Sequence, residues 1–392
     1  MISLLCATAA CGSDSSNTSD AEPPPVDLRQ LEVGPYAVTP RKIDTATNMP
    51  VARYMEAERL GNILPLPTEI DPALKYGDSG QTHAFLDATP DYHLSPMFRW
   101  LREEDFGNAA KNFVAGFSTT GNSNEKQSLS YELVSSVLIF TDDDSAKAAA
   151  EALSRTGYYD EEAEPASLAK YPDAFARRQP KNKALFAWLA RGKFVVVTIT
   201  QHHENKVLDI SEPEFLSALA EKSIAATLPT LEKFVPTPPD KLMSVPIDPD
   251  NMRGRSLRRP EGDSFENIPG TYDRHGALQF ADDIDETRRL YDEAGVDRVA
   301  FDGGELVRTK DPAAAQKLFE KTSEPDRFSR PAAAPKGLPN ARCREYKGPS
   351  WGYLRFYCQV RYDRFVAKVA SNQLQDTQQR ISAQYSILAD SK

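Results

Sequence analysis

The sequence predicts an α+β fold: two tandem similar domains, each an antiparallel sheet with helices packed on one face. Three observations predict it. A β-branched apolar run leading into an alanine-rich helix occurs twice. A strand pair leading into a final amphipathic helix also occurs twice. A proline-rich stretch stands between the two sets. Repetition of one order of elements on both sides of a linker is the mark of a duplicated unit. The length of 392 residues gives room for two or three domains at roughly 150 residues each. With 40% apolar and 27% charged residues the chain has enough of each for a buried core under a solvated surface. The net charge of −10 argues against nucleic acid as a partner, which requires clustered Lys and Arg.

The first residues point to a compartment. Ile2 to Ala10 form a short uncharged run that ends in the small residues Ala9 and Ala10, followed by Cys11. Small residues let a signal peptidase bind the extended chain beside its cut. Residues 1–10 therefore read as a signal peptide and Cys11 as the residue that is acylated, most simply with palmitate-type chains. Cys6 suits this less well, because bulky Leu5 precedes it. Residues 11–26, rich in Ser, Asp and Asn and then stiffened by Pro23, Pro24 and Pro25, read as a lipidated disordered tether. Such a tether spans about 20–25 Å as a coil. The expected location is the extracytoplasmic face of the cell membrane, with the membrane a partner through the anchor.

Within the body, residues 27–234 form the expected N-terminal domain. Tyr131 to Phe140 reads as a strand, and Thr141 with Asp142, Asp143 and Asp144 caps a helix that buries Ala146, Ala149, Ala150 and Leu153. Trp188 to Ile199 reads as two paired strands. Ser211-Glu212-Pro213-Glu214 reads as a capping box that opens a helix using Phe215, Leu219 and Leu228. Residues 235–265, with Pro236, Pro238, Pro239, Pro246 and Pro249, read as a linker, since such spacing blocks helix and central strand alike.

Residues 266–392 form the expected C-terminal domain. Val299 to Arg308 is read as strand, and Asp311-Pro312 opens a helix that buries Ala315, Leu318 and Phe319. Cys358 to Val369 repeats the strand pair, and a last helix uses Leu374, Ile381, Tyr385 and Leu388. Trp188 aligns with Cys358 in this comparison. Cys343 and Cys358 are the body's two cysteines, and in an exported chain they are expected to pair. The loop of about 15 residues they close is worth roughly 3 kcal/mol.

Several stretches carry a resemblance. Tyr54 to Leu60 with Pro67 to Pro72, Pro236 to Leu242 with Ile247 to Asp250, and Ala294 to Asp297 with Ala341 to Cys343 together resemble a lipoprotein family of unknown function from mycobacteria, nocardiae and their relatives. The resemblance covers nearly the whole mature chain. It implies an envelope location and a two-domain α+β build, and it implies no reaction. The second half is more distantly similar to disulfide-bearing extracellular sensor domains of actinobacterial serine/threonine kinases, which suggests binding.

Motifs that could carry chemistry are weighed individually. Gly77-Asp78-Ser79-Gly80 looks like a serine-protease loop, but none of the five histidines precedes it, and that architecture needs one upstream. His202-His203-Glu204 continues an extended run in which neighbouring side chains point oppositely, which suits a polar loop better than a metal. Asp142 to Asp144 and Asp282 to Glu286 sit where helices begin and interact well with the helix dipole there. Gly116 to Asn122 lacks the Gly-Lys-Ser/Thr ending of a phosphate loop and reads as a hairpin turn. Arg253, Arg255, Arg258 and Arg259 are read as the one basic patch, in the linker.

No catalytic residue, cofactor or metal site is nominated. The expected function is non-catalytic binding of an envelope ligand or protein partner in the cleft between the two domains. The alternatives are a carboxylate-based hydrolase of a cell-wall or lipid substrate, for which a cleft with two carboxyls about 5–9 Å apart is the sign, and a carrier of an apolar envelope molecule.

Overall fold

The computed structural model describes residues 26–78, 80–86, 103–155, 162–248, 250–260, 269–349 and 354–391. The expected signal segment, Cys11, the tether up to residue 25 and Ser79 lie outside them. The first domain comprises α1 (Met49–Gly61), α2 (Pro67–Ile70), β1 (Tyr76–Gly77), β2 (His83–Phe85), α3 (Glu103–Ala109), β3 (Phe113–Asn122) and β4 (Tyr131–Phe140). It continues with α4 (Asp143–Arg155), β5 (Glu164–Ala166), β6 (Phe175–Gln179), β7 (Ala184–Arg191), β8 (Phe194–His202), α5 (His203–Leu208) and α6 (Pro213–Leu231). The second comprises β9 (Gly270–Asp273), α7 (Arg274–Leu278), α8 (Ile284–Ala294), β10 (Arg298–Phe301), β11 (Glu305–Arg308) and α9 (Pro312–Thr322). β12 (Ser329–Ala332), β13 (Arg342–Tyr346), β14 (Phe356–Tyr362), β15 (Phe365–Ser371) and α10 (Leu374–Asp390) complete it.

The duplication is written into the strand order. The first sheet runs β5-β6-β7-β8-β4-β3-β1, with β2 also on β3, and the second runs β12-β13-β14-β15-β11-β10-β9. Every pairing is antiparallel. Equivalent edge strands even share residues. Pro165 lies opposite Arg177, and Pro331 opposite Arg344. Proline has no N–H to offer a further strand, so both outer edges are closed to sheet extension.

The register also corrects the expected alignment. The β7–β8 and β14–β15 hairpins turn at Gly192 and Asp363, both with positive φ. Counting back from those turns, the residue equivalent to Cys358 is Ala187, whose β6 neighbour is Ala176. Trp188 instead matches Gln359. In the first domain two buried alanines therefore occupy the place of the disulfide, and Trp188 points to the other face.

Helices cover both faces of each sheet, where one face was expected. In β8, Val195, Val197 and Ile199 face α3 and α4, while Val196 joins the core shared with α1 and α6. In β15, Ala367 and Val369 face α10, while Val366 joins the core with α8 and α9. Strands buried on both sides read as continuous apolar runs, as Phe194 to Val197 does. The stretch from Gly116 to Asn122 is not a turn but the interior of β3. Gly116 is there because the Phe85 ring lies where a Cβ would sit. The capping box at Ser211 does not form either. Glu212 is the cap residue of α6, and its carboxylate takes the Asn205 side-chain amide at 2.8 Å.

Residues 27–42 were expected in the first domain. Leu31, Val33, Tyr36 and Val38 pack instead in the core beneath α10, and Arg41 binds Asp302 at 2.7 Å. The two domains meet across α1, which is buried on most sides. Phe117 packs against Tyr272 and Phe280 at centroid distances of 6.2 and 6.1 Å, and Phe280 against Phe301 at 4.9 Å. Thr119 donates to Gln279 at 2.6 Å, and Gln279 donates to the Leu64 carbonyl at 2.8 Å. The Gly77 N–H reaches the Asp282 carbonyl at 3.1 Å. One apolar core thus runs from one sheet to the other, and along α1 the expected cleft between the domains is filled.

Candidate ligand-binding groove

A cavity of about 470 Å³ opens at the start of α10. It is lined by Ser371, Asn372, Gln373, Gln375, Asp376 and Gln379 from the end of β15 and the first turns of α10, with Pro35 and Leu354 as its apolar wall. The local sequence builds it directly. β15 ends at Ser371, whose Oγ accepts the Gln373 N–H at 3.3 Å. Gln373 is the cap residue of α10 and makes no side-chain cap bond, so the first-turn N–H groups are uncapped and the positive end of the helix dipole faces the groove.

The wall opposite is the N-terminal arm. Gly34 has φ of 57°, and the Gln379 side chain occupies the space a Cβ would need, so only glycine lets the arm approach this closely. Glu32 accepts from Gln375 at 3.2 Å and from Gln379 at 3.0 Å. Asp376 accepts from the Tyr36 hydroxyl and from Arg380 Nε at 2.8 Å. The buried Arg380 guanidinium also lies 5.5 Å from the centre of the Tyr36 ring. Burial pushes the Asp376 carboxyl up, but bonds from Ser371, Tyr36 and Arg380 outweigh it and hold the group below the usual carboxylate range. Asp376 is therefore an ionised acceptor fixed in place.

The remaining groups are open. The Gln373 amide is exposed, and Asn372 uses its Oδ1 to accept the Arg355 N–H at 3.2 Å, leaving its NH₂ outward. Side-chain amides both donate and accept, as hydroxyls do. The groove consequently matches a neutral ligand with many hydroxyl groups better than an ion of either sign. Sequence reasoning missed it. A signal was present in Ser371 to Gln379, where five of nine residues are Asn or Gln. An exposed helix start more often carries acidic residues.

Elsewhere the candidate motifs have structural work. His202 Nδ1 accepts the Asn205 N–H at 3.3 Å, and its ring packs on Tyr131 and Phe215. Burial lowers its pKa. His203 Nε2 lies 3.1 Å from Glu132, so the two imidazoles point to different partners. Asp142 caps α4 through the Ser145 N–H at 2.8 Å, and Asp283 caps α8 through the Glu286 N–H at 2.9 Å. Among the described residues, no group of three or more His, Cys, Asp or Glu could hold a metal ion. Arg253 and Arg255 are not a free basic patch. Arg255 lies 5.8 Å from the centre of the Phe365 ring, and Arg253 lies near a buried acid, Glu58.

Glu58 sits on α1 at the domain junction and is 1% exposed. Its Oε2 accepts the Thr271 N–H at 3.2 Å, while Oε1 has no partner. Gly270 packs directly on the carboxylate. Burial pushes its pKa up to about 7, against the pull of Arg253 and the Thr271 N–H and with a push from Asp248. Cys343 and Cys358 form a disulfide between β13 and β14, with Cα atoms 4.1 Å apart.

Comparison with known proteins places the chain. The model of the domain of unknown function DUF7373, N-terminal part, matches residues 43–247, and its C-terminal part matches residues 252–391. The chain belongs to the DUF7373 family. The family's two parts meet inside the proline-rich linker. No curated protein matches the chain. Among solved structures, the extracellular domain of PknH from Mycobacterium tuberculosis is similar at 11% identity over 43% of this chain and 96% of that one. Its TM-score of 0.27 is too low to bear on fold or function. Among the described residues, no helix is long and apolar enough to cross a membrane.

Proposed function

We propose that this chain is a lipid-anchored envelope protein of the mycobacterial and nocardial type. In this reading it holds a neutral, polyhydroxylated ligand in the α10 groove without transforming it. The observation that carries the proposal is the groove itself: about 470 Å³ bordered by four amide side chains, a serine and a pre-oriented carboxylate. Vicinal hydroxyls of a saccharide present alternating donors and acceptors at the spacing such side chains use. The anchor rests on Cys11 after two alanines, on the polar tether behind it, and on the resemblance at Tyr54 to Leu60. The disulfide supports an oxidising compartment.

The groove replaces the inter-domain cleft as the proposed binding place, because the junction along α1 is packed. Asp376, held in its ionised form by Tyr36 and Arg380, serves a ligand as a hydrogen-bond acceptor and not as a proton donor. The carboxyls of raised pKa, Glu58 and Asp282, are not among the groove residues.

Isothermal titration of the full chain with neutral oligosaccharides tests the proposal. Saturable binding that Gln375→Leu with Gln379→Leu abolishes supports it. Binding unchanged in that variant, or absent for every neutral glycan while a charged ligand binds, overturns it.

A further inference from the structure

Charge is distributed unevenly along this acidic chain. Residues 327–368 hold ten lysines and arginines against two acidic residues, Glu345 and Asp363, a net of +8 within a chain of net −10. The segment's described residues form β12, β13, β14 and most of β15, the outer half of the second sheet. Four of the ten cations have carboxylate partners: Arg327 with Glu125, Lys347 and Arg355 with Glu345, and Lys368 with Glu305. Arg330, Lys336, Arg342, Arg344, Arg361 and Arg364 reach no carboxylate among the described residues.

Aromatic rings are interleaved with these cations. Arg327 lies 4.5 Å from the centre of the Phe328 ring, Arg344 5.4 Å from Tyr357, and Arg355 5.3 Å from Phe356. Phe328 is 38% exposed and packs beside Tyr346. The edge strand cannot recruit another strand, because Pro331 sits in its middle. What the edge offers is cationic side chains and ring faces, without a free row of backbone groups.

We propose that this edge is a contact surface for anionic phospholipid headgroups, holding the second domain against the membrane. Guanidinium groups bind phosphate oxygens in pairs, and aromatic rings settle at the headgroup level of a bilayer. Each cation near an anionic surface contributes a comparable increment of attraction. The beginning of the described chain agrees with this orientation, since Val26 packs on the core of the same domain, where the tether arrives. The contact goes beyond the groove and does not depend on any ligand there.

The test uses the full chain carrying Cys11→Ser, so that no acyl chain contributes and the result is independent of the anchor. Co-sedimentation is measured with vesicles of 30% phosphatidylglycerol in phosphatidylcholine, and with pure phosphatidylcholine. The expected result is binding to the anionic vesicles only, lost as salt rises from about 0.05 to 0.5 M. Arg330→Gln with Arg344→Gln weakens it roughly 25-fold, about fivefold per arginine, while Lys170→Gln on the first domain leaves it unchanged. Should the double variant melt early, Arg330→Glu alone, at an exposed position, gives the same reading. Equal binding to both vesicle types, no loss in either arginine variant, or tighter capture by a soluble anionic polysaccharide than by the vesicles overturns the proposal.

Discussion

Replacing Glu58 by Gln stabilises the protein in a way that depends on pH. Glu58 holds its proton more tightly in the folded chain, where burial raises its pKa to about 7, than in the unfolded chain, where it returns to about 4.5. Its contribution to stability is complete below pH 4.5 and is lost as pH rises through about 7. At about 1.4 kcal/mol per pH unit, the span between those values corresponds to about 3 kcal/mol. The cost arises because the ionised form has one bond, from the Thr271 N–H, and leaves Oε1 unmatched. A glutamine keeps that bond and never ionises. Urea unfolding of wild type and Glu58→Gln at pH 5 and pH 8 measures the effect, and other titrating groups cancel in the difference. The expected shift of the variant's advantage between the two pH values is about 2–3 kcal/mol in its favour. A difference that stays constant, or that moves the other way, refutes the reasoning about the junction acid.

Asp376→Ala removes the carboxylate that accepts from Arg380 Nε and from the Tyr36 hydroxyl, and urea unfolding at pH 7 is expected to show a loss of about 1.5–3 kcal/mol. Because the folded Asp376 carboxyl is held below its ordinary pKa, its stabilisation is present above that ordinary value and is lost as pH falls through the depressed one; the variant's deficit therefore shrinks in acid. Replacing Cys343 and Cys358 by alanine opens a loop with a sequence separation of 15, and calorimetry is expected to show a loss of roughly 3 kcal/mol. If the domains share one register, Ala176→Cys with Ala187→Cys forms a second disulfide at the equivalent place, seen as a two-proton mass decrease under non-reducing conditions; two persistently free thiols contradict the alignment.

Much of the architecture was legible because it rests on local rules. Asp311-Pro312 opens α9 with the Asp311 carboxylate on the Ala314 N–H at 2.7 Å, as residue types at a helix start dictate. The duplicated strand-helix-hairpin-helix order could be read from two separate stretches, and the cysteine pair from compartment alone. What failed depends on contacts distant in sequence. Gly116 looks like a turn residue until the Phe85 ring is seen against it. Trp188 looks like the counterpart of Cys358 until the hairpin register moves it by one residue. Arg253 looks exposed in the sequence, yet the fold brings it beside Glu58. The groove needs Glu32, Tyr36 and Asp376 together, and no sequence pattern joins residues some 340 positions apart. The charge excess of residues 327–368, by contrast, is legible in a simple count along the sequence, whereas which of those cations lack a carboxylate depends on the fold.

Native mass spectrometry of the protein purified from its own cells tests the binding role most directly, comparing wild type with Gln375→Leu, Gln379→Leu. A non-covalent adduct with the mass of a polyhydroxylated molecule, present on the wild type and missing from the variant, is what the groove predicts. A bare polypeptide in both preparations, or an adduct that persists in the variant, contradicts it.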